Sequence, residues 1–245
     1  MSKKPHRKWQ QRLSVMICLA LWSGVYGTAY GGGEAFKTPE YYAGKGLELI
    51  NAANAYQLGY TGKGITLGIC DDFVKFSHPE FVYKSNSVTL WDVPPNFRWS
   101  INNHGTHVGG TMAAAKDNIG MHGVAFDANL VSGMLDTDES VTYLKATYDG
   151  INQNSAIKIV NNSWGASVYI DELKEGKAPF DRFISPTIDI LASSITGYDK
   201  VLVFAAGNAG HPTPGGESML SYIRPRTAGN FLNVTIVHPA NDTFA

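Results

Sequence analysis

Residues 65–72 read Ile-Thr-Leu-Gly-Ile-Cys-Asp-Asp, a mostly apolar run that stops at two carboxylates. Turn residues, Gly62-Lys63-Gly64, come just before it, and a short apolar run bounded in this way is typical of a buried strand, here over Ile65–Cys70. Runs of the same kind recur at Leu130–Leu135, Ile157–Asn161, Val201–Ala206 and Phe231–Val237. The sequence therefore predicts strands that are buried on both faces of a sheet.

Helical patterns separate these strands. Predicted helices begin at three points: His104, near Ser140 and near Ser185. Strands that alternate with helices favour an α/β fold, a doubly wound and mostly parallel sheet with helices on both faces. In such sheets the functional residues lie at the carboxyl ends of the strands. This chain has Asp71, Ser163 and Asn208 at those ends.

The composition is that of a packed globular protein. The 245 residues suffice for one sizeable domain, and 44% hydrophobic against 17% charged residues excludes a disordered or fibrous protein. A net charge of −1 without an obvious basic face makes nucleic acid an unexpected partner. We also expect a monomer. A lead-in helix is predicted over residues 31–60, a surface excursion over residues 166–184 and a loop over residues 210–230.

The first 30 residues are predicted to be a signal peptide. A basic start precedes an apolar run over residues 13–25, and small residues follow at 27–29. The run is shorter than the roughly 20 residues that span a membrane, so cleavage is favoured over an uncleaved anchor. Cys18 does not fit a lipoprotein signal because the bulky Ile17 precedes it. Its removal leaves Cys70 as a single thiol, which we expect to be buried and inert. We therefore expect an exported protein, secreted or on the surface of a bacterium.

His104 is the first candidate for chemistry. A helix that begins there, capped by Asn102 and Asn103, places the imidazole at the positive end of the helix dipole, which disfavours the imidazolium. A base needs a carboxylate to hold and orient its neutral imidazole, and Asp71 or Asp72 can provide one. Taken alone, a histidine at a helix start is more often a capping or packing residue.

Two other polar residues, His107 and Asn208, are candidates of the same kind. His107 forms an HxxH pair with His104, but zinc ligands on a helix are usually four apart with a Glu beside the first. We therefore expect no metal, and a packing role for His107. Asn208 follows the apolar strand VLVFAAG, where its carboxamide can donate a hydrogen bond to a developing oxyanion. Taken alone, this motif is weak evidence, because the alternative is an ordinary asparagine in a turn.

Taken together, these motifs resemble those of the subtilisin-like serine peptidases, the subtilase family. Five stretches carry the resemblance over residues 42–245, in the family's order: Asp71 with His78-Pro79-Glu80-Phe81 seven residues later, His104–Gly110 (HGTHVGG), Gly123-Val124-Ala125, Ser163-Trp164-Gly165 and Ala205-Ala206-Gly207-Asn208. The spacing to His78 selects Asp71 over Asp72. One departure is that Asp72-Phe73 stand where the family has Thr/Ser-Gly.

The resemblance implies a serine-type endopeptidase that cleaves polypeptides through an acyl-enzyme, with residues 61–245 as a partial subtilisin-like domain. His104 would be the general base, Asp71 its orienting carboxylate and Asn208 the oxyanion donor. The substrate-binding residues it implies are Ser163, Trp164, Gly165, Ala206 and Gly207. Residues 135–139 would pair with an extended peptide. No cofactor is implied, and although subtilases often bind structural calcium, we find no ligand loop for it in the sequence.

The family's nucleophile is missing from this pattern. It belongs to a Gly-Thr-Ser-Met-Ala-x-Pro motif that lies further from the oxyanion asparagine than the 37 residues that follow Asn208 here. Gly216–Leu220 (GESML) is a partial match, but it lies ten residues past Asn208 and lacks the Ala and Pro, so we reject Ser218.

We therefore expect a C-terminally truncated protease whose serine lies beyond this chain, which is inactive by itself. Its lead-in is similar to that of bacterial autotransporter subtilases, which continue into an outer-membrane barrel. The alternative is a non-catalytic exported relative that binds peptides.

Overall fold

A computed structural model of the chain describes residues 33–84, 87–90, 103–135, 141–165, 184–208, 215–234, 237–238 and 243–244. Its central element is a six-stranded sheet made of β1 (Thr66–Asp71), β2 (Val88–Thr89), β3 (Asn129–Met134), β4 (Ile157–Asn162), β5 (Val201–Ala205) and β6 (Phe231–Val234). The strands lie in the order β2-β3-β1-β4-β5-β6, and every neighbouring pair is parallel. The predicted α/β fold with a parallel sheet is confirmed. A separate antiparallel pair joins β7 (Val237–His238) to β8 (Thr243–Phe244).

The order of the strands creates a switch point at β1. The chain passes to β2 and β3 on one side of β1, and then crosses to β4 on the other side. Open α/β sheets bind their ligands at the carboxyl ends of the strands at such a point. The candidate residues at the carboxyl ends of β1, β4 and β5 therefore share one edge of the sheet.

Helices cover the two faces of the sheet. The longer ones are His104–Ala113, called here the histidine helix, with Val141–Gln153 and Ile184–Tyr198. Because successive strand residues face opposite sides, Ile69 joins a cluster with Val74 and Phe81 next to the histidine helix. Its neighbour Cys70 joins the larger cluster formed with the other two helices. Cys70 is fully buried, as predicted, and burial raises the pKa of its thiol.

The predicted lead-in helix is instead divided into short pieces. A 3₁₀ turn, Gly33–Phe36, is followed by the helices Pro39–Ala43, Gly46–Leu49 and Ala52–Gln57. Left-handed backbone at Lys45 and Asn51, with φ of 47° and 54°, separates the helices because a continuous helix cannot pass through that conformation. The apolar spacing still holds the segment in place, since Tyr56 packs on Phe126.

The predicted loop over residues 210–230 contains regular structure in its described part, residues 215–230, whereas residues 210–214 lie outside the described residues. From residue 216 onward the described part forms the 3₁₀ turn Gly216–Met219, the helix Leu220–Ile223 and the 3₁₀ turn Pro225–Asn230. A further 3₁₀ turn spans Pro79–Phe81. The predicted signal peptide, residues 166–183 of the surface excursion and residues 136–139 of the peptide-pairing edge lie outside the described residues. None of the helices that the structure describes has the length and apolar character to cross a bilayer.

Candidate active site

Asp71 and His104 meet at the carboxyl end of β1. Asp71 is the last residue of that strand, and His104 is the first residue of the histidine helix. A distance of 2.6 Å joins His104 Nδ1 to Asp71 Oδ1. The carboxylate side chain is 3% exposed and the imidazole side chain 51% exposed, so a buried anion holds a histidine that is open to solvent. The backbone N–H of Asp72 donates to the same carboxylate oxygen at 2.8 Å.

The two side chains shift each other's protonation. The hydrogen bond with Asp71 raises the pKa of His104 above its usual value, against the opposing effect of partial burial. The helix N-terminus is expected to disfavour the imidazolium, whereas the carboxylate favours it from within direct hydrogen-bonding distance. Burial raises the pKa of Asp71, although the hydrogen bonds from His104 and from the Asp72 amide act in the opposite direction.

Asp72 caps the histidine helix; of the predicted capping pair, Asn102 lies outside the described residues and the side chain of Asn103 does not cap the helix. Asn103 occupies the N-cap position with left-handed backbone (φ 50°), and its side chain makes no capping hydrogen bond. The N–H of His104 donates instead to Asp72 Oδ2 at 3.2 Å, and the N–H of Gly105 donates to Asp72 Oδ1. Sequence periodicity did not reveal this cap because it comes from a residue 32 positions earlier. The departure from the family pattern at Asp72 was the available signal.

A second group of predicted residues surrounds a cavity at the ends of β4 and β5. The two strands are paired through Asn162 and Phe204, so the segments that follow them lie side by side. The cavity measures about 220 Å³ and is lined by Asn161, Ser163, Val203, Phe204, Ala205, Gly207, Asn208 and Val234. Ser163, Gly207 and Asn208 were predicted from the sequence, and Gly207 adopts φ 114°, a conformation that favours glycine.

The other three predicted cleft residues, Trp164, Gly165 and Ala206, are not among the residues that line the cavity. The ring of Trp164 packs edge-on against Phe204, with 5.2 Å between centroids. A Cβ placed on Gly165 would lie 3.3 Å from Oε2 of the buried Glu217. The backbone of Ala206 is held on both sides, because its N–H donates to Val234 O at 2.9 Å and its carbonyl accepts from Gly215 N–H at 3.3 Å.

Two asparagines at the end of β4 were missed by the sequence reasoning. Asn161 lines the cavity, and its Nδ2 donates to Ser163 Oγ at 3.0 Å. Asn162 is fully buried; its Oδ1 accepts the hydroxyl proton of Tyr148, and its Nδ2 donates to Val160 O at 3.1 Å. The signal was present, since a polar pair at the carboxyl end of a buried strand needs partners or a function.

Ser218, rejected as a nucleophile from the sequence, is 1% exposed. Its hydroxyl donates to the carbonyl of Gly215, which begins the same turn. No serine hydroxyl among the described residues is hydrogen-bonded to His104. A side chain that is buried and already engaged is poorly placed to attack a substrate.

The carboxylates of Glu40 and Glu80 flank residues 117–121. Glu40 accepts the N–H of Asp117 at 2.8 Å, and Glu80 accepts that of Met121 at 3.3 Å. Across the part of the chain that the structure describes, no group of three His, Cys, Asp or Glu side chains could hold a metal ion.

Comparison with known proteins identifies the family. The Peptidase_S8 model, described as the subtilase family, matches residues 62–244. An extracellular serine protease of Serratia marcescens is 30% identical, in an alignment that covers 94% of this chain and 26% of the relative. Neuroendocrine convertase 2 of Rattus norvegicus is 31% identical over 71% of this chain and 28% of its own length. The chain thus spans about a quarter of the length of these relatives.

Solved structures agree on the fold. A lanthipeptide protease superposes with a TM-score of 0.54 at 17% identity, covering 87% of this chain and 60% of that protein. The patellamide maturation protease PatA gives a TM-score of 0.54 at 18% identity, covering 74% of this chain and 59% of its own. The chain therefore belongs to the subtilase family, whose members are serine peptidases.

Proposed function

We propose that this chain is the part of an exported subtilisin-type serine endopeptidase that carries its base, its orienting carboxylate and its oxyanion donor. The observation that carries the proposal is the 2.6 Å contact between His104 Nδ1 and Asp71 Oδ1 at the carboxyl edge of the sheet. A buried carboxylate that holds a half-exposed imidazole is the arrangement that general-base catalysis requires.

Each nitrogen of His104 has a role in this proposal, supported by the contact of Nδ1 with Asp71. Nδ1 carries its proton toward Asp71, which fixes the tautomer and leaves the lone pair on Nε2. Nε2 takes the proton of a serine hydroxyl as that oxygen attacks the peptide carbonyl, and later gives the proton to the leaving amine. Asp71 stabilises the imidazolium that forms in between, in keeping with the raised pKa of His104.

Asn208 is the proposed donor to the oxyanion. It is exposed at the end of β5 and lines the same cavity as Ser163 and Gly207. Its carboxamide Nδ2 can donate to the negative oxygen of the tetrahedral intermediate. The cavity beside it is large enough for part of a polypeptide substrate, whose backbone the exposed strand ends can bind.

The nucleophile is proposed to lie beyond residue 245, so that the 245-residue chain alone does not hydrolyse peptides. The burial of Ser218 supports this assignment. Export is proposed from the basic and apolar N-terminus, with support from relatives that are named extracellular serine proteases.

A fluorophosphonate probe, which labels activated serines, tests this function. The 245-residue chain and the product of the longer reading frame that contains it are incubated with the probe, and the labelled peptide is identified by mass spectrometry. We expect no label on the 245-residue chain and one labelled serine after residue 245 in the longer product. Labelling of Ser218 would overturn the assignment. A reading frame without a serine motif downstream, in a protein that binds peptides without cleaving them, would support the non-catalytic alternative.

A further inference from the structure

We propose that Asp72 is a positioning residue for His104: it holds the backbone of the base, while Asp71 holds the ring. The proposal rests on the proposed function in one respect, which is that it takes His104 as the general base. It assigns Asp72, which departs from the family pattern, to the geometry of the site and not to contact with a substrate.

The hydrogen bonds of Asp72 define this role. Its two carboxylate oxygens accept the first two N–H groups of the histidine helix, those of His104 and Gly105. These N–H groups have no partner within a helix, and an anion at this end also interacts favourably with the helix dipole. Both interactions fix the start of the helix relative to the end of β1, and His104 is the residue at that start.

A second contact holds the same turn from the other side. The hydroxyl of Thr106 donates to Phe73 O at 3.2 Å and accepts the N–H of Lys75 at 3.0 Å. The loop after β1 is therefore hydrogen-bonded to the first turn of the helix through the carboxylate of Asp72 and the hydroxyl of Thr106. These hydrogen bonds join the two segments next to Asp71, at the end of β1.

Gly105 and Asp72 are closely packed, with no space for a side chain at residue 105. Gly105 is buried against Asp72, and a Cβ on it would lie 2.5 Å from Asp72 O and 2.7 Å from Asp72 Oδ1. A side chain at residue 105 would push the helix away from the loop, so glycine is what permits the carboxylate to reach both N–H groups. The small residues at the start of HGTHVGG thus serve the contact with Asp72.

The charge of Asp72 also acts on the imidazole. It adds to the effect of Asp71 in raising the pKa of His104, as the smallest of the contributing causes. Removal of this charge should therefore lower the pH at which His104 titrates, which a purely structural role would not do.

The test compares Asp72→Ala and Asp72→Asn with the parent in the 245-residue chain, with Asp149→Asn as the matched control. Asp149 is a half-exposed aspartate on another helix, paired only with Lys145 of that helix among the described residues. Two readouts are taken: amide hydrogen exchange at Gly105, and the NMR titration of the His104 ring, assigned by its loss in His104→Gln. Neither readout depends on catalysis, so a failure of the proposed peptidase activity leaves the result interpretable.

We expect Asp72→Ala to speed exchange at Gly105 about fivefold or more, as for the loss of one helix cap. Asp72→Asn keeps an acceptor oxygen and should speed exchange less, but it should lower the titration midpoint of His104. Asp149→Asn should change neither. If Asp72→Ala fails to fold, amide exchange at Gly105 in Asp72→Asn decides the matter. Unchanged exchange at Gly105 in the Asp72 variants, or an effect matched by Asp149→Asn, would overturn the proposal.

Discussion

Replacement of Gly105 by Ala tests how closely the histidine helix approaches the loop after β1. The added Cβ would lie 2.5 Å from Asp72 O. An ordinary contact begins at 3.4 Å, so the helix and the loop must separate by about 0.9 Å (3.4 − 2.5) if the two atoms are to fit. A separation of that size lengthens the hydrogen bonds from His104 and Gly105 to Asp72. The hydrogen bond from His104 is already 3.2 Å long, at the upper end of the normal range.

Two effects compete in this variant. Alanine gains about 1 kcal/mol over glycine inside a helix. Overpacking at a close contact costs about 1–3 kcal/mol, and a weakened helix cap costs about 1 kcal/mol more. The cost exceeds the gain, and we expect Gly105→Ala to lose about 1–3 kcal/mol of unfolding free energy.

Gly110→Ala is the matched control, because it lies in the same helix and a Cβ there would meet nothing within 4 Å. It should gain up to about 1 kcal/mol. Urea unfolding followed by circular dichroism measures both, and with a slope near 3 kcal/mol per molar urea the loss in Gly105→Ala lowers the midpoint by about 0.3–1 M. If Gly105→Ala is as stable as Gly110→Ala, the close approach described here is wrong.

Three further predictions concern the histidine of the Asp71–His104 pair, Asn162 at the end of β4 and the proposed oxyanion donor Asn208. The pKa of His104 in the folded protein is raised above its ordinary value of 6.5. His104 therefore contributes stability that is fully present below about pH 6.5 and is lost as the pH rises through the pKa of the folded state. Between pH 6 and pH 9 the unfolding free energy should fall more for the parent than for His104→Gln. Tyr148→Phe leaves the buried Oδ1 of Asn162 without its donor and should cost about 1–3 kcal/mol in urea unfolding, whereas Tyr42→Phe, at a half-exposed side chain, should cost almost nothing. In the longer form, Asn208→Ala should lower kcat about 10²–10³-fold with little change in KM, a range adopted from subtilisin itself; an unchanged kcat would remove Asn208 from the oxyanion site.

The strands could be predicted because each buried strand is an uninterrupted apolar run. β1 and β5 agree with the prediction to within a residue at each end. β2 was not predicted, since Val88–Thr89 is a two-residue edge strand with no pattern of its own. The lead-in shows the opposite error: its helical spacing is real, but the breaks at Lys45 and Asn51 depend on backbone conformation that periodicity does not report.

Some features of the candidate site could likewise be predicted from the sequence, and others could not. The spacing from Asp71 to His78 selected the aspartate that the structure places 2.6 Å from His104. Capping by Asp72 and the support of Asn162 by Tyr148 were not foreseen, because each joins residues from separate elements, 32 and 14 positions apart. Local sequence patterns report which element a residue belongs to, whereas partners across elements depend on how the elements pack.

Asp71 and His104 are proposed to act as one catalytic unit, and a double-mutant cycle in the proposed longer product that contains the serine measures this directly. The ratio kcat/KM is determined for His104→Ala, for Asp71→Asn and for the double variant on a polypeptide substrate. We predict that His104→Ala loses at least about 10⁴-fold, as when the base of a triad is removed, and that adding Asp71→Asn costs nothing further because no imidazole is left to orient. A His104→Ala variant that keeps more than about a tenth of the activity, about 1.4 kcal/mol in barrier, or a double variant whose losses simply add, would contradict the account.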